Sequence, residues 1–147
     1  MARLPLQSLF LTLMLAGGLT LFGAGVRAQD APMAQTQNGV SFISGGVGQD
    51  DADAMRAAAG RYNLHLLFAI SGSGDYLSDI HVTIRDRQGQ TLVDTTADGP
   101  FFLAELKPGR YRITADNAGA AKSVTVAVPA SGTARQSFYW PPAAAAR

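Results

Sequence analysis

From Arg61 to Trp140 apolar and polar side chains alternate in short runs, the period of a strand with one face buried. Tyr62, Leu64, Leu66, Phe68 and Ile70 alternate with Arg61, Asn63, His65, Leu67 and Ala69. Further inward sets are Ile80, Val82 and Ile84; Phe101 and Leu103 with Leu106; Tyr111, Ile113 and Ala115; Val124, Val126 and Val128; and Phe138 with Trp140. Turn residues separate them: Ser71–Asp75, Arg87-Gln88-Gly89-Gln90 leading into Thr91–Thr95, Asp98-Gly99, Pro108-Gly109, Asn117-Ala118-Gly119 and Pro129–Gly132. Pro108 presets the first corner of a tight reversal and Gly109 suits the positive φ of a type II second corner. Short strands at this spacing predict an all-β sandwich, and no helical pattern lies between strands to build parallel βαβ units.

Ahead of Arg61 the pattern changes. Gln29 to Asn38 is polar and aperiodic and reads as a flexible lead-in, and Val40–Ser44 reads as a short edge strand before Gly45-Gly46-Val47-Gly48. Asp50 to Ala59 predicts one helix: Asp50 caps it, acidic residues fill its first turn, and Gly60 ends it. Ala52, Met55 and Ala59 share one side, a face to lay over an open end or edge of the sandwich. Pro141-Pro142 stops the last strand, and 141–147 reads as a frayed tail.

Residues 1–28 read as a signal peptide. Arg3 precedes a largely apolar stretch from Leu4 to Phe22, and Val26-Arg27-Ala28 suits cleavage before Gln29. The rival is an uncleaved anchor, which Gly17-Gly18, Gly23 and Gly25 weaken. Removing this leader from 147 residues leaves 119, one domain, with no cysteine for a disulfide or a lipid anchor. Losing Arg3 and Arg27 turns 12 basic against 11 acidic side chains into 10 against 11, a net charge of −1. With no basic stripe along the chain, nucleic acid is not an expected partner. A periplasmic or secreted protein with no membrane span after leader removal is expected.

Asp98-Gly99-Pro100-Phe101 through Leu106-Lys107-Pro108-Gly109-Arg110-Tyr111 resembles the carboxypeptidase regulatory-like domain. Phe101, Leu103, Leu106, Pro108, Gly109 and Tyr111 stand at that family's separations, and Val82-Thr83-Ile84-Arg85-Asp86, Gly89 and Thr96 are similar to its preceding strand, turn and approach. The resemblance spans about residues 61–140. It implies an antiparallel Greek-key β-sandwich of about seven strands, prealbumin-like (transthyretin-like), here with one short N-terminal helix. It implies almost nothing about activity, because the matching residues are core and turn positions. A relative of this fold hydrolyses 5-hydroxyisourate and ends in Tyr-Arg-Gly-Ser, where this chain has Ser137-Phe138-Tyr139-Trp140, so that chemistry does not carry over.

The remaining candidates have structural readings beside the chemical ones. Gly45–Gly48 ahead of a helix suggests a phosphate loop, yet Asp50, Asp51 and Asp53 place carboxylates there and no Lys-Ser/Thr follows. The same aspartates lack the alternation of a calcium loop. His65 and His81 face each other if their strands pair through a five-residue loop and separate in another register; two ligands without a third seldom hold zinc. No Gly-x-Ser-x-Gly elbow is present. No cofactor or metal is expected. Phe42, Leu67, Phe102 and Tyr139 stand where alternation calls for polar groups, either as an outer-face binding patch or as side chains under the helix and N-terminal segment. The expectation is a non-enzymatic exported module binding or supporting an envelope protein or polymer, with Phe42, Phe102, Tyr139 and Trp140 as candidate partner surface. Carbohydrate binding through Phe138–Trp140 is the alternative, and a hydrolase whose site forms only in three dimensions is a second.

Overall fold

The computed structural model describes residues 31–142. The expected signal peptide at 1–28 and residues 143–147 of the expected tail lie outside them. Nine strands among the described residues form two facing sheets. One contains, in spatial order, β1 (Gln35–Gln37), β2 (Val40–Gly45), β6 (Phe101–Glu105), β3 (Leu64–Ile70) and β9 (Ala134–Trp140). The other contains β5 (Thr91–Ala97), β4 (Ile80–Arg85), β7 (Gly109–Asn117) and β8 (Ala120–Val128). All pairings are antiparallel except β3 with β9. One helix, α1 (Gln49–Ala58), runs into a 3-10 turn at Ala59–Arg61.

The core lies between the sheets. Phe42, Leu66, Phe68, Phe102, Phe138 and Trp140 meet Ile80, Val82, Ile84, Val93 and Ile113, all almost fully buried. Phe42 stacks on Phe102 at 5.3 Å between ring centres, and the Trp140 indole N–H donates to the Ala120 carbonyl at 2.8 Å. Alternation assigns the inward side chains of β4, β7, β8 and β9 as the structure has them. It fails on β6. Phe102 and Ala104 enter the main core, whereas Leu103 and the partly buried Phe101 point to the opposite face. There Leu103 and Ile43 pack with Met55, Ala58 and Tyr62, so α1 covers part of the outer face of the five-stranded sheet. A strand apolar on both sides carries no period to read.

Several local expectations change for identifiable reasons. Part of the lead-in is β1, joined to β2 through Asn38 (φ 46°) and Gly39 (φ 78°), the paired positive angles of a type I′ hairpin turn. β2 is consequently not an edge strand, because it lies between β1 and β6. α1 starts at Gln49 after Gly48, with no side-chain cap. Its first-turn carboxylate, Asp51, instead reaches back to accept from the Gly46 amide at 2.6 Å and the Val47 amide at 3.1 Å. Gly60 falls within the 3-10 turn rather than ending the helix.

Pro108-Gly109 does not make a tight hairpin. β6 and β7 belong to different sheets, and Gly109 has φ 154°, far from the type II value. The segment is an inter-sheet corner, held by the Asn63 side chain. Asn63 Nδ2 donates to the Leu106 carbonyl at 2.6 Å, and its Oδ1 accepts from the Leu106 amide at 2.8 Å. Gly99, at the other crossing, is required by proximity: a Cβ there would stand 2.3 Å from the Gly45 carbonyl oxygen.

Candidate functional site

The outer face of the five-stranded sheet can be laid out from its register. One row runs Ile43–Leu103–His65–Arg135, the next Gly45–Phe101–Leu67–Ser137, and the third places Tyr76 and Tyr139 on either side of Ala69. α1 covers the start of the first row. Toward β9 the cover ends, leaving a cavity of about 250 Å³ beside the helix. Its floor is apolar, from Met55, Leu67, Phe101 and Leu103, while Arg56, His65, Arg135 and Ser137 supply polar groups. Tyr76 packs edge-on against Phe101 at 5.4 Å and is 57 % exposed; Tyr139 is 47 % exposed. The groove therefore continues as an aromatic-edged shelf.

His65 anchors one wall. Its Nε2 lies 3.0 Å from both the Ala59 and Tyr62 carbonyl oxygens. Carbonyls only accept, so Nε2 carries the proton and donates to the end of the helical segment. Arg56 pairs with Asp53 within α1. Arg135 has no carboxylate partner among the described residues. β9 bounds the sheet on this side and pairs only with β3, so its alternate backbone N–H and C=O groups face outward. The opposite margin of the molecule differs. There the Gln37 amide exchanges hydrogen bonds with the Asp94 backbone at 2.9 and 3.2 Å, and Asn38 donates to the Leu92 carbonyl at 3.0 Å, closing the edge of β5.

Of the expected partner surface only Tyr139 is accessible. Phe42 and Phe102 are wholly buried and Trp140 is 2 % exposed, because each faces the second sheet. The burial of Phe138 and Trp140 also removes the aromatic platform expected for a sugar. His65 and His81 lie in different sheets, since β3 and β4 do not pair, and neither register considered for them forms. His81 instead contacts Asp94 at 2.7 Å across strands. The amides of Gly46 and Val47, which a phosphate loop would offer to an anion, are occupied by Asp51. Among the described residues no three His, Asp or Glu side chains gather as a metal site, and no helix is long and apolar enough to cross a membrane.

Sequence reasoning missed two groupings. The shelf formed by Tyr76, Phe101 and Leu67 depends on a bridge between Ala69 and Tyr76 that no local pattern announces. The arginines dispersed along the chain collect in space, with Arg85 and Arg87 next to Arg110 and Arg112 on the other sheet, although no basic stripe exists in the sequence. Asn38-Gly39, by contrast, is a readable hairpin signal. No protein-family model matches the chain, and no curated protein matches it in sequence.

Proposed function

We propose that the chain is a non-catalytic, exported binding module of the cell envelope, and that its ligand is an extended polypeptide segment taken up along β9 and the groove beside α1. The observation that carries this reading is the junction of an unpaired strand edge with an apolar, tyrosine-edged groove. An added strand supplies main-chain hydrogen bonds to the edge, and its alternate side chains need pockets on one face. Arg135 at the rim, without a carboxylate partner among the described residues, favours an acidic residue flanking the apolar ones. In this reading the strands after Arg61 are a carboxypeptidase regulatory-like, Greek-key sandwich of prealbumin type, working as a scaffold outside the cytoplasm.

Selection of a displayed random-peptide library on the purified protein tests the proposal. The expected binders alternate apolar residues with at least one acid, and Leu67→Asp or Tyr139→Ala weakens them at least tenfold. Arg112→Gln, on the other sheet, leaves them unchanged. No enrichment, or enrichment insensitive to Leu67→Asp, contradicts the assignment.

A further inference from the structure

On the opposite face, independent of the groove, the geometry points to a second site: we propose that Arg85, Arg87, Arg110 and Arg112 bind a compact polyanion, a small molecule carrying two or more phosphate groups. Arg85 closes β4 and stands directly opposite Arg112 of β7. Arg110 lies two residues before Arg112 on the same face, and Arg87 follows in the β4–β5 turn. All four are exposed, and together with Asp86 and Thr125 they line a shallow recess of about 450 Å³.

Like charges directly opposite on neighbouring strands oppose folding unless something else compensates them. None of the four arginines has a carboxylate within 4.0 Å among the described residues. The one acid in the recess, Asp86, is engaged in its own turn, where its Oδ1 accepts from the Gln88 and Gln90 amides, each at 2.9 Å. Neighbouring strands are about 4.8 Å apart and alternate residues on a strand about 6.8 Å apart, so the four stems rise from a small footprint. Guanidinium forks at that spacing match phosphate oxygens in bidentate geometry.

The rest of the face decides the size of the ligand. Beyond Arg85 and Arg112 comes the row Asp94–Thr83–Thr114–Ser123, with a carboxylate at its β5 end, in which the Thr114 and Ser123 hydroxyls bond each other at 2.7 Å. In the next row Asp116 stands opposite His81, which reaches back to Asp94 at 2.7 Å. A nucleic-acid strand laid along this face would carry its phosphates over those carboxylates, whereas a compact polyanion stays within the arginine end.

Calorimetric titration of the purified protein with tripolyphosphate at low ionic strength tests the site. The expected result is one-to-one binding that weakens steeply with added salt. Arg85→Gln/Arg112→Gln and Arg87→Gln/Arg110→Gln, each with unchanged circular dichroism, should both reduce affinity at least tenfold. Lys107→Gln/Lys122→Gln, which removes the same charge elsewhere, should change it less than twofold. Absence of binding, equal loss in all three variants, or tighter binding of an oligothymidylate through the same arginines would each overturn the proposal.

Discussion

Tyr111 is nearly buried, and its hydroxyl donates to the Lys107 carbonyl at 2.6 Å across the inter-sheet corner. Desolvation, and secondarily the negative charge of Asp86, raises its pKa above the ordinary tyrosine value. The unfolded chain ionises near pH 10, before the folded one. The stabilising contribution of Tyr111 is therefore complete below about pH 10 and is lost as pH climbs through the folded pKa. Wild type should exceed Tyr111→Phe by about 1 kcal/mol at neutral pH, from the hydrogen bond, and that advantage should shrink above about pH 10. Urea unfolding of both proteins across that range is the check; a difference independent of pH contradicts it. The Asn63 clamp on the same corner shows what single residues withhold. An asparagine between apolar neighbours reads as an outward polar position, and its bonds to Leu106 arise only when chain segments 43 residues apart meet.

Elements are legible where they have one buried face. β4, β7 and β8 keep their polar residues outward, so alternation alone assigns their inward side chains. β6 is covered on both faces, by the second sheet and by α1, and Phe101-Phe102-Leu103-Ala104 offers no contrast between its sides. α1 was legible as a helix, but its buried face is Ala52, Ala54, Met55 and Ala58 rather than Ala52, Met55 and Ala59. Its attachment rests on Met55, which is 1 % exposed against Ile43, Leu103 and Tyr62. Met55→Ala should cost about 2–4 kcal/mol by opening a cavity under the helix. Denaturant titration measures this, and a loss below about 0.5 kcal/mol, the range of surface substitutions, would show that α1 is not packed as described.

At the scale of the whole molecule the two margins of the sandwich are treated differently. Gln37 and Asn38 close the β1–β5 side with side-chain amides, which blocks strand addition there. The β9 side remains open beside an apolar groove, and the basic end of the four-stranded sheet lies on the reverse face. Sequence reading reached the layered β architecture because period and turns are local properties. It left Phe42 and Phe102 open between an outer patch and covered side chains, and offered Trp140 both as an inward residue and as candidate partner surface, because which face is covered depends on elements distant in sequence from the residues they bury. The groove is a consequence of that cover stopping short of β9.

If β9 and the groove beside α1 receive an extended peptide, as proposed, the unpaired amides of β9 become hydrogen-bonded when it binds. Residue-resolved amide hydrogen exchange, with and without a peptide selected on the protein, tests it most directly. Peptide addition should slow exchange at alternate amides of β9 between Arg135 and Tyr139 and leave β5 unchanged. Unaltered β9 amides, or protection confined to β5 or to the arginine end of β4 and β7, would contradict it.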